Sequence, residues 1–185
     1  MAEHTYAYIL ASKGLSLTSQ IIKWFQFGFP YTHIAYVVNY GSDDFIEHDP
    51  VVIEAWWPEV RIGRFSEVHT PGTPFTVFRV PVTLKEKVKI EDFLMRQIGR
   101  KYDVIGLLAF LTRLKRVAKN NYWFCSELTF AAFKNAGVEL LKFTEPQEVT
   151  PALFLKSPLL EKVYDSHLPG EPINEKISLS LSGRF

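Results

Sequence analysis

Cys125 is the single cysteine of the chain. One thiol cannot form an internal disulfide or an all-cysteine zinc site. That leaves two roles for it, a small buried hydrophobe or a nucleophile. It lies in NYWFCSELTFAAF, where the pattern predicts a helix over Phe124 to Asn135 closed by Gly137. A thiol at a helix start feels the positive end of the helix dipole, which favours the nucleophilic thiolate. The same helix places Cys125, Leu128, Thr129, Ala132 and Phe133 on one face, as a structural cysteine would also require. Position alone leaves both roles open.

A nucleophilic cysteine needs a base, and the histidines are His4, His33, His48, His69 and His167. His4 and His167 lie near the ends in weakly structured sequence, and His48 and His69 in polar or proline-rich loops. His33 stands at the head of THIAYVV, an expected strand, which would hold its ring rigidly as a catalytic base requires. The alternative is a half-buried strand histidine with a backbone partner. A base in turn needs an acceptor that orients its ring. Glu54, inside VVIEAWW, is the candidate, because a carboxylate amid apolar residues is costly to bury without a partner. Val52, Glu54 and Trp56 would share one face of that strand, and two of these three are apolar, which argues against a purely solvent-facing role.

The elements that must position these groups follow from the punctuation of the chain. Six prolines (Pro30, Pro50, Pro58, Pro71, Pro74 and Pro81) break up the first half, and none lies between Val82 and Glu145. Strands are expected over Tyr6 to Ala11, Thr32 to Asn39, Val51 to Trp57, Glu59 to Ile62 and Phe75 to Val80, with a turn at Pro71 to Pro74. Their short connections point to an antiparallel sheet. Leu17 to Phe25 reads as a short apolar helix. Ile90, Phe93, Leu94 and Ile98 mark an amphipathic helix ended by Gly99, and Asp103 to Thr112 a second, largely buried helix. Thr150 to Leu155 has the Thr-Pro start of a short helix. Residues 168–185 form a tail in which ISLSL could add an edge strand, so a single domain spans 1–167.

Composition bounds the function. With 47% hydrophobic and 22% charged residues in 185, the chain can bury a core. Lys plus Arg is 21 and Asp plus Glu is 20, a balance that argues against electrostatic binding of nucleic acid, so the cluster Arg113, Lys115, Arg116 and Lys119 reads as a solvated linker or helix end. The aromatic content of 15% is high and suits either an aromatic core or an aromatic-lined groove. The N-terminal stretch lacks a basic region, and its apolar run is short for a signal peptide. The longest apolar run, Val104 to Leu111, falls short of the about 20 residues of a spanning helix. A cytoplasmic protein without a transmembrane segment is expected.

A histidine on one strand, a glutamate on the next and a cysteine opening a later helix resemble the circularly permuted papain-fold proteins of the NlpC-type superfamily, especially the YiiX/YebB-like group. Lecithin retinol acyltransferase and its phospholipid-metabolising relatives are more distant members. The matching pieces are THIAYVV around His33, VIEAWW around Glu54, GRKYDVIG around Tyr102 and YWFCSEL around Cys125. His33 precedes Cys125, as in the permuted branch. The resemblance implies an α+β fold in which an antiparallel sheet or small barrel packs against a helical half. It implies Cys125 as nucleophile, His33 as base and acid, and Glu54 as orienting residue. Tyr102 would line the site or belong to the core. The activity implied is hydrolysis of an amide bond in a small peptide, a cell-wall-type peptide among the options, with no cofactor or metal. Two alternatives go with it: a lipid acyltransferase or phospholipase, and a non-catalytic binding module. The family often begins with a Gly-Asp-Ile/Leu strand, where this chain has AYILASKG.

Overall fold

The computed structural model describes residues 4–14, 29–38, 49–103 and 122–166. The expected helices at Leu17 to Phe25 and Asp103 to Thr112, the basic cluster and the ISLSL segment lie largely or wholly outside them. Among the described residues, the main sheet has six antiparallel strands in the order β4-β3-β2-β1-β5-β8. They are β1 His4–Ser12, β2 His33–Val38, β3 Val51–Ala55, β4 Val60–Arg64, β5 Phe75–Thr83 and β8 Glu161–Asp165. A second, parallel pair joins β6 Lys101–Tyr102 to β7 Tyr122–Trp123. The helices are α1 Phe65–Val68, α2 Leu84–Met95, α3 Cys125–Ala136 and α4 Pro151–Phe154, with a 3₁₀ turn at Pro146–Glu148.

The sheet is open, not a barrel: β4 and β8 are its two ends and do not pair with each other. One face carries Ala7, Ile9, Ile34, Tyr36, Ile53, Ala55, Val80 and Val82, all buried in one core with Ile90 and Leu94 of α2 and Leu128, Ala132 and Phe133 of α3. The other face buries the alternate residues Leu10, Ala35, Val37 and Val52 under Phe65. Because side chains alternate along a strand, the strands buried on both faces read as continuous apolar runs. No helix among the described residues is long and apolar enough to cross a membrane.

Several elements depart from the sequence expectation, among them α1, β6 and β7, which have no counterpart in it, and the following three. Strand β5 runs through Pro81 to Thr83. Strand β8 pairs only with Thr76 to Arg79, so Pro81 lies where one side of β5 has no ladder partner and its missing N–H is tolerated. Helix α2 starts at Leu84, six residues before the first core position Ile90, because Thr83 caps it. Thr83 Oγ1 accepts from the Glu86 N–H at 3.2 Å, and Glu86 Oε2 accepts from the Thr83 N–H at 2.7 Å. Strand β8, EKVYD, was not expected at all.

The cap yields a first prediction. Thr83→Ala should destabilise the protein by about 1 kcal/mol, read as a lower denaturant midpoint. Hydrogen bonds from the Thr83 backbone and hydroxyl hold Glu86 below its ordinary value of 4.5. Its contribution is therefore complete above about 4.5 and fades as pH falls through the folded value. The cost of Thr83→Ala should shrink in acid, and a pH-independent cost would show that the Glu86 carboxylate takes no part in the cap.

Candidate active site

Strand β2 opens with His33, and its side chain shares a sheet face with Ala35 and Val37. Strand β3 pairs with β2 in the register Tyr36↔Ile53 and Val37↔Val52. Continuing that register sets Glu54 level with Ala35, diagonal to His33 on the same face. His33 Nε2 lies 2.7 Å from Glu54 Oε2. Glu54 is completely buried and His33 is 5% exposed.

Two further residues converge on the same carboxylate. Arg61 faces Glu54 directly across the β3–β4 ladder. Its Nε and Nη2 donate to Oε1 at 2.9 and 2.8 Å, and Nη2 also donates to the Val68 carbonyl at 2.6 Å. His69 Nε2 lies 2.8 Å from Oε2, the oxygen His33 uses. An ionised carboxylate only accepts, so both rings donate their Nε2 protons to it. The sequence reading set His69 aside as a loop histidine. It is buried instead, stacked on Phe65 at 4.3 Å between ring centres. It is carried inward by α1, a helix of four residues that lies close over β4. A Cβ on Gly63 would come within 2.7 Å of Val68 Cγ1, so the glycine is what permits that approach. The ring of Trp56 stands edge-on to His33 at 4.8 Å and to His69 at 5.0 Å, and Arg61 lies over it at 5.2 Å.

Cys125 is the first residue of α3, which packs against β2 and β3. The thiol is buried, and its charge acts on the His33 ring, whose Nε2 is engaged by Glu54. The start of α3 is fixed by Glu127, whose Oε2 accepts the Phe124 N–H at 3.2 Å, and by Ser126, whose hydroxyl donates to the Val149 carbonyl. Tyr102 packs against Phe124 and Cys125, with its ring 6.1 Å from that of Phe124. Thus His33, Glu54 and Cys125 come together, with Tyr102 beside the sulfur.

The electrostatics follow from these contacts. Burial alone would push His33 down. The charges of Cys125 and Glu54, with the hydrogen bond to Glu54, outweigh it, and His33 is raised to about 10. Burial would push Glu54 up, but the charge of His33 and the hydrogen bonds from His33 and His69 hold its carboxyl well below the usual range. Burial lowers His69 by more than its bond to Glu54 raises it. At neutral pH the cluster therefore holds one imidazolium, one neutral imidazole, a carboxylate and the Arg61 guanidinium.

No protein-family model and no curated protein matches the sequence. Among solved structures, the chain is similar to one described as the metalloprotein yiiX from Escherichia coli O157:H7, DUF1105. The two share 17% identity at a TM-score of 0.65, over 88% of this chain and 97% of that one. The fold is yiiX-like. At this identity the yiiX likeness extends to the fold and leaves the chemistry to the residues present here. Among the described residues, His33, Glu54 and His69 are the donors that could hold a metal ion, their ligating atoms lying within 4.8 Å of one another.

Proposed function

We propose that the chain is a cysteine hydrolase of the acyl-transfer type, with Cys125 as nucleophile, His33 as general base and acid, and Glu54 as the residue that orients His33. The observation that supports this reading is the buried His33 ring, held by Glu54 on Nε2 at 2.7 Å and raised by the charges of Cys125 and Glu54. A structural cysteine needs no such partner. In the reaction the Cys125 thiolate attacks a carbonyl, and the Cys125 backbone N–H, at the helix start, stabilises the oxyanion. His33 donates its Nδ1 proton to the departing amine or alcohol and leaves an acyl-thioester on Cys125. It then takes a proton from water as the water attacks that thioester, releasing the acid and restoring the thiolate. Glu54 stays ionised throughout and supports the imidazolium.

The substrate class proposed is a small peptide amide. A lipid ester is the second reading, favoured by the exposed Trp57, at 65%, next to the Trp56 that packs on His33. The yiiX structure is described as that of a metalloprotein, and His33, Glu54 and His69 form a donor set that could hold an ion here. A divalent ion held there would supply Lewis-acid or water-activating chemistry. Every step above is carried by the chain's own groups.

The test is turnover of both substrate classes with wild type and Cys125→Ala. Hydrolysis of one class, its loss in Cys125→Ala, and a mass increase on Cys125 equal to the acyl group are expected. Equal turnover by the two proteins would overturn the reading.

A further inference from the structure

The proposed reaction gives work to Cys125, His33 and Glu54 and none to Ser12, the last residue of β1. Ser12 stands directly across the β1–β2 ladder from His33, and across the β1–β5 ladder from Phe75. Directly opposed residues of an antiparallel pair put their side chains on one face, with Cβ atoms about 4.5–5.5 Å apart. Alternation along β1 gives the same face, since Ser12 follows Leu10, which is buried there with Ala35, Val37 and Phe65. Strand β2 lies between β1 and β3, so Ser12 borders the His33 ring on the side away from Glu54.

Ser12 is 1% exposed, and among the described residues its Oγ is the one buried side-chain polar atom without a hydrogen-bond partner. The hydroxyls around it are engaged. Thr32 Oγ1 accepts the Gly14 N–H at 3.0 Å, the Tyr31 and Thr76 hydroxyls pair at 2.7 Å, and Ser166 Oγ accepts the Phe75 N–H at 2.8 Å. A buried hydroxyl left unpaired costs the fold the desolvation of that group with no bond to offset it. The backbone there is firmly held. The Ser12 carbonyl accepts the Thr32 N–H at 3.0 Å, and the Lys13 N–H donates to the Pro74 carbonyl at 2.8 Å. A rigid, unpaired hydroxyl beside the ring that moves the proton is placed for a partner that arrives with the substrate.

The chemistry of that partner follows from what a hydroxyl can do, which is to donate one hydrogen bond and accept others. A peptide offers an amide N–H or carbonyl within one residue of the scissile carbonyl. A fatty acyl chain offers only methylenes there and would leave the hydroxyl unpaired, a penalty that a hydrogen-bonding site imposes on any analogue lacking the group. We propose that Ser12 is a positioning residue that binds a backbone amide of a peptide substrate next to the scissile carbonyl, and that it selects peptide over fatty acyl. This rests on the Cys125–His33 reading and names the substrate class of that site.

The experiment alkylates Cys125 of the full chain with three reagents: iodoacetamide, acetyl-alanyl chloromethyl ketone, and an alkyl chloromethyl ketone of the same length. In each, the sulfur forms a bond to carbon and halide leaves. Wild type should react faster with the peptidyl ketone than with the alkyl one. Ser12→Ala should slow the peptidyl ketone roughly 5-fold, the loss of one hydrogen bond, and leave the other two rates unchanged. Ser12→Ala should also resist denaturant at least as well as wild type, because the fold loses no hydrogen bond with the hydroxyl. A lower denaturation midpoint would give the hydroxyl a partner inside the fold and overturn the proposal. So would a wild type that does not distinguish the two ketones, a peptidyl rate that Ser12→Ala leaves unchanged, or an equal slowing of all three reagents. Failure of the thiol reading shows elsewhere, as an iodoacetamide rate that His33→Ala does not change.

Discussion

At about pH 6, iodoacetamide is expected to alkylate Cys125 of the folded chain faster than the same residue of the urea-unfolded chain, and His33→Ala should lower the folded rate at least ~10-fold. An ordinary cysteine carries only about 0.3% of its thiol as thiolate at that pH, and thiolate is the reacting form. In the folded chain His33 is held protonated, with a value near 10, by the charges of Cys125 and Glu54. That imidazolium is the counter-charge the thiolate needs. The opposing effect is access, since Cys125 is 1% exposed. Burial slows attack in wild type and in His33→Ala alike, so their ratio isolates the charge effect. The comparison with unfolded chain is the harsher one, because there burial acts against the prediction. Circular dichroism of His33→Ala guards against unfolding as the cause of any change. Equal rates in the two folded proteins would mean that the sulfur is a packed core atom and that its neighbour is incidental.

Much of this cluster is legible in the sequence. Alternation along β3 puts Glu54 on the face of Val52, and apolar neighbours on both sides make an unpartnered carboxylate there untenable. His33 opens THIAYVV, and Cys125 stands at the start of a helix. Each is visible because strand and helix periods are regular. The partners of Glu54 were not visible for a different reason in each case. Arg61 depends on the register of the β3–β4 hairpin, which its turn sets and which no periodicity encodes. His69 depends on a four-residue helix, too short to show a period, and on the close approach over Gly63. Strand β8 is polar and half-exposed because it closes the sheet at an edge, so its sequence carries no buried stripe. An open sheet and a small barrel present the same strand patterns. What separates them is whether the end strands meet, and local sequence is silent on that.

Glu54→Ala should be the most damaging single substitution in the cluster, destabilising the fold by about 3–5 kcal/mol. Glu54 is the carboxylate set against the Arg61 guanidinium and the His33 imidazolium, and both of its oxygens are committed. Removing it leaves two cations and an N–H of His69 facing a buried void. For a chain of this size that loss lowers Tm by roughly 6–20 °C. Arg61→Ala should cost less, because the arginine side chain is 30% exposed and Glu54 keeps two imidazole donors. The pH dependence separates a charge effect from a packing effect, and Glu54→Gln is the variant for it. Glu54 is held below its ordinary 4.5, so its stabilising contribution is complete above about 4.5 and is lost as pH falls below that. His33 is raised from 6.5 to about 10, so its contribution is complete below about 6.5 and is lost as pH rises through about 10. The stability gap between wild type and Glu54→Gln should therefore be widest between these two limits, near pH 4.5 to 6.5, and narrow on either side. Chemical denaturation across that range reads the gap directly. A gap of constant size would show that Glu54 matters for its shape, and the charge-based account of His33 would fail with it.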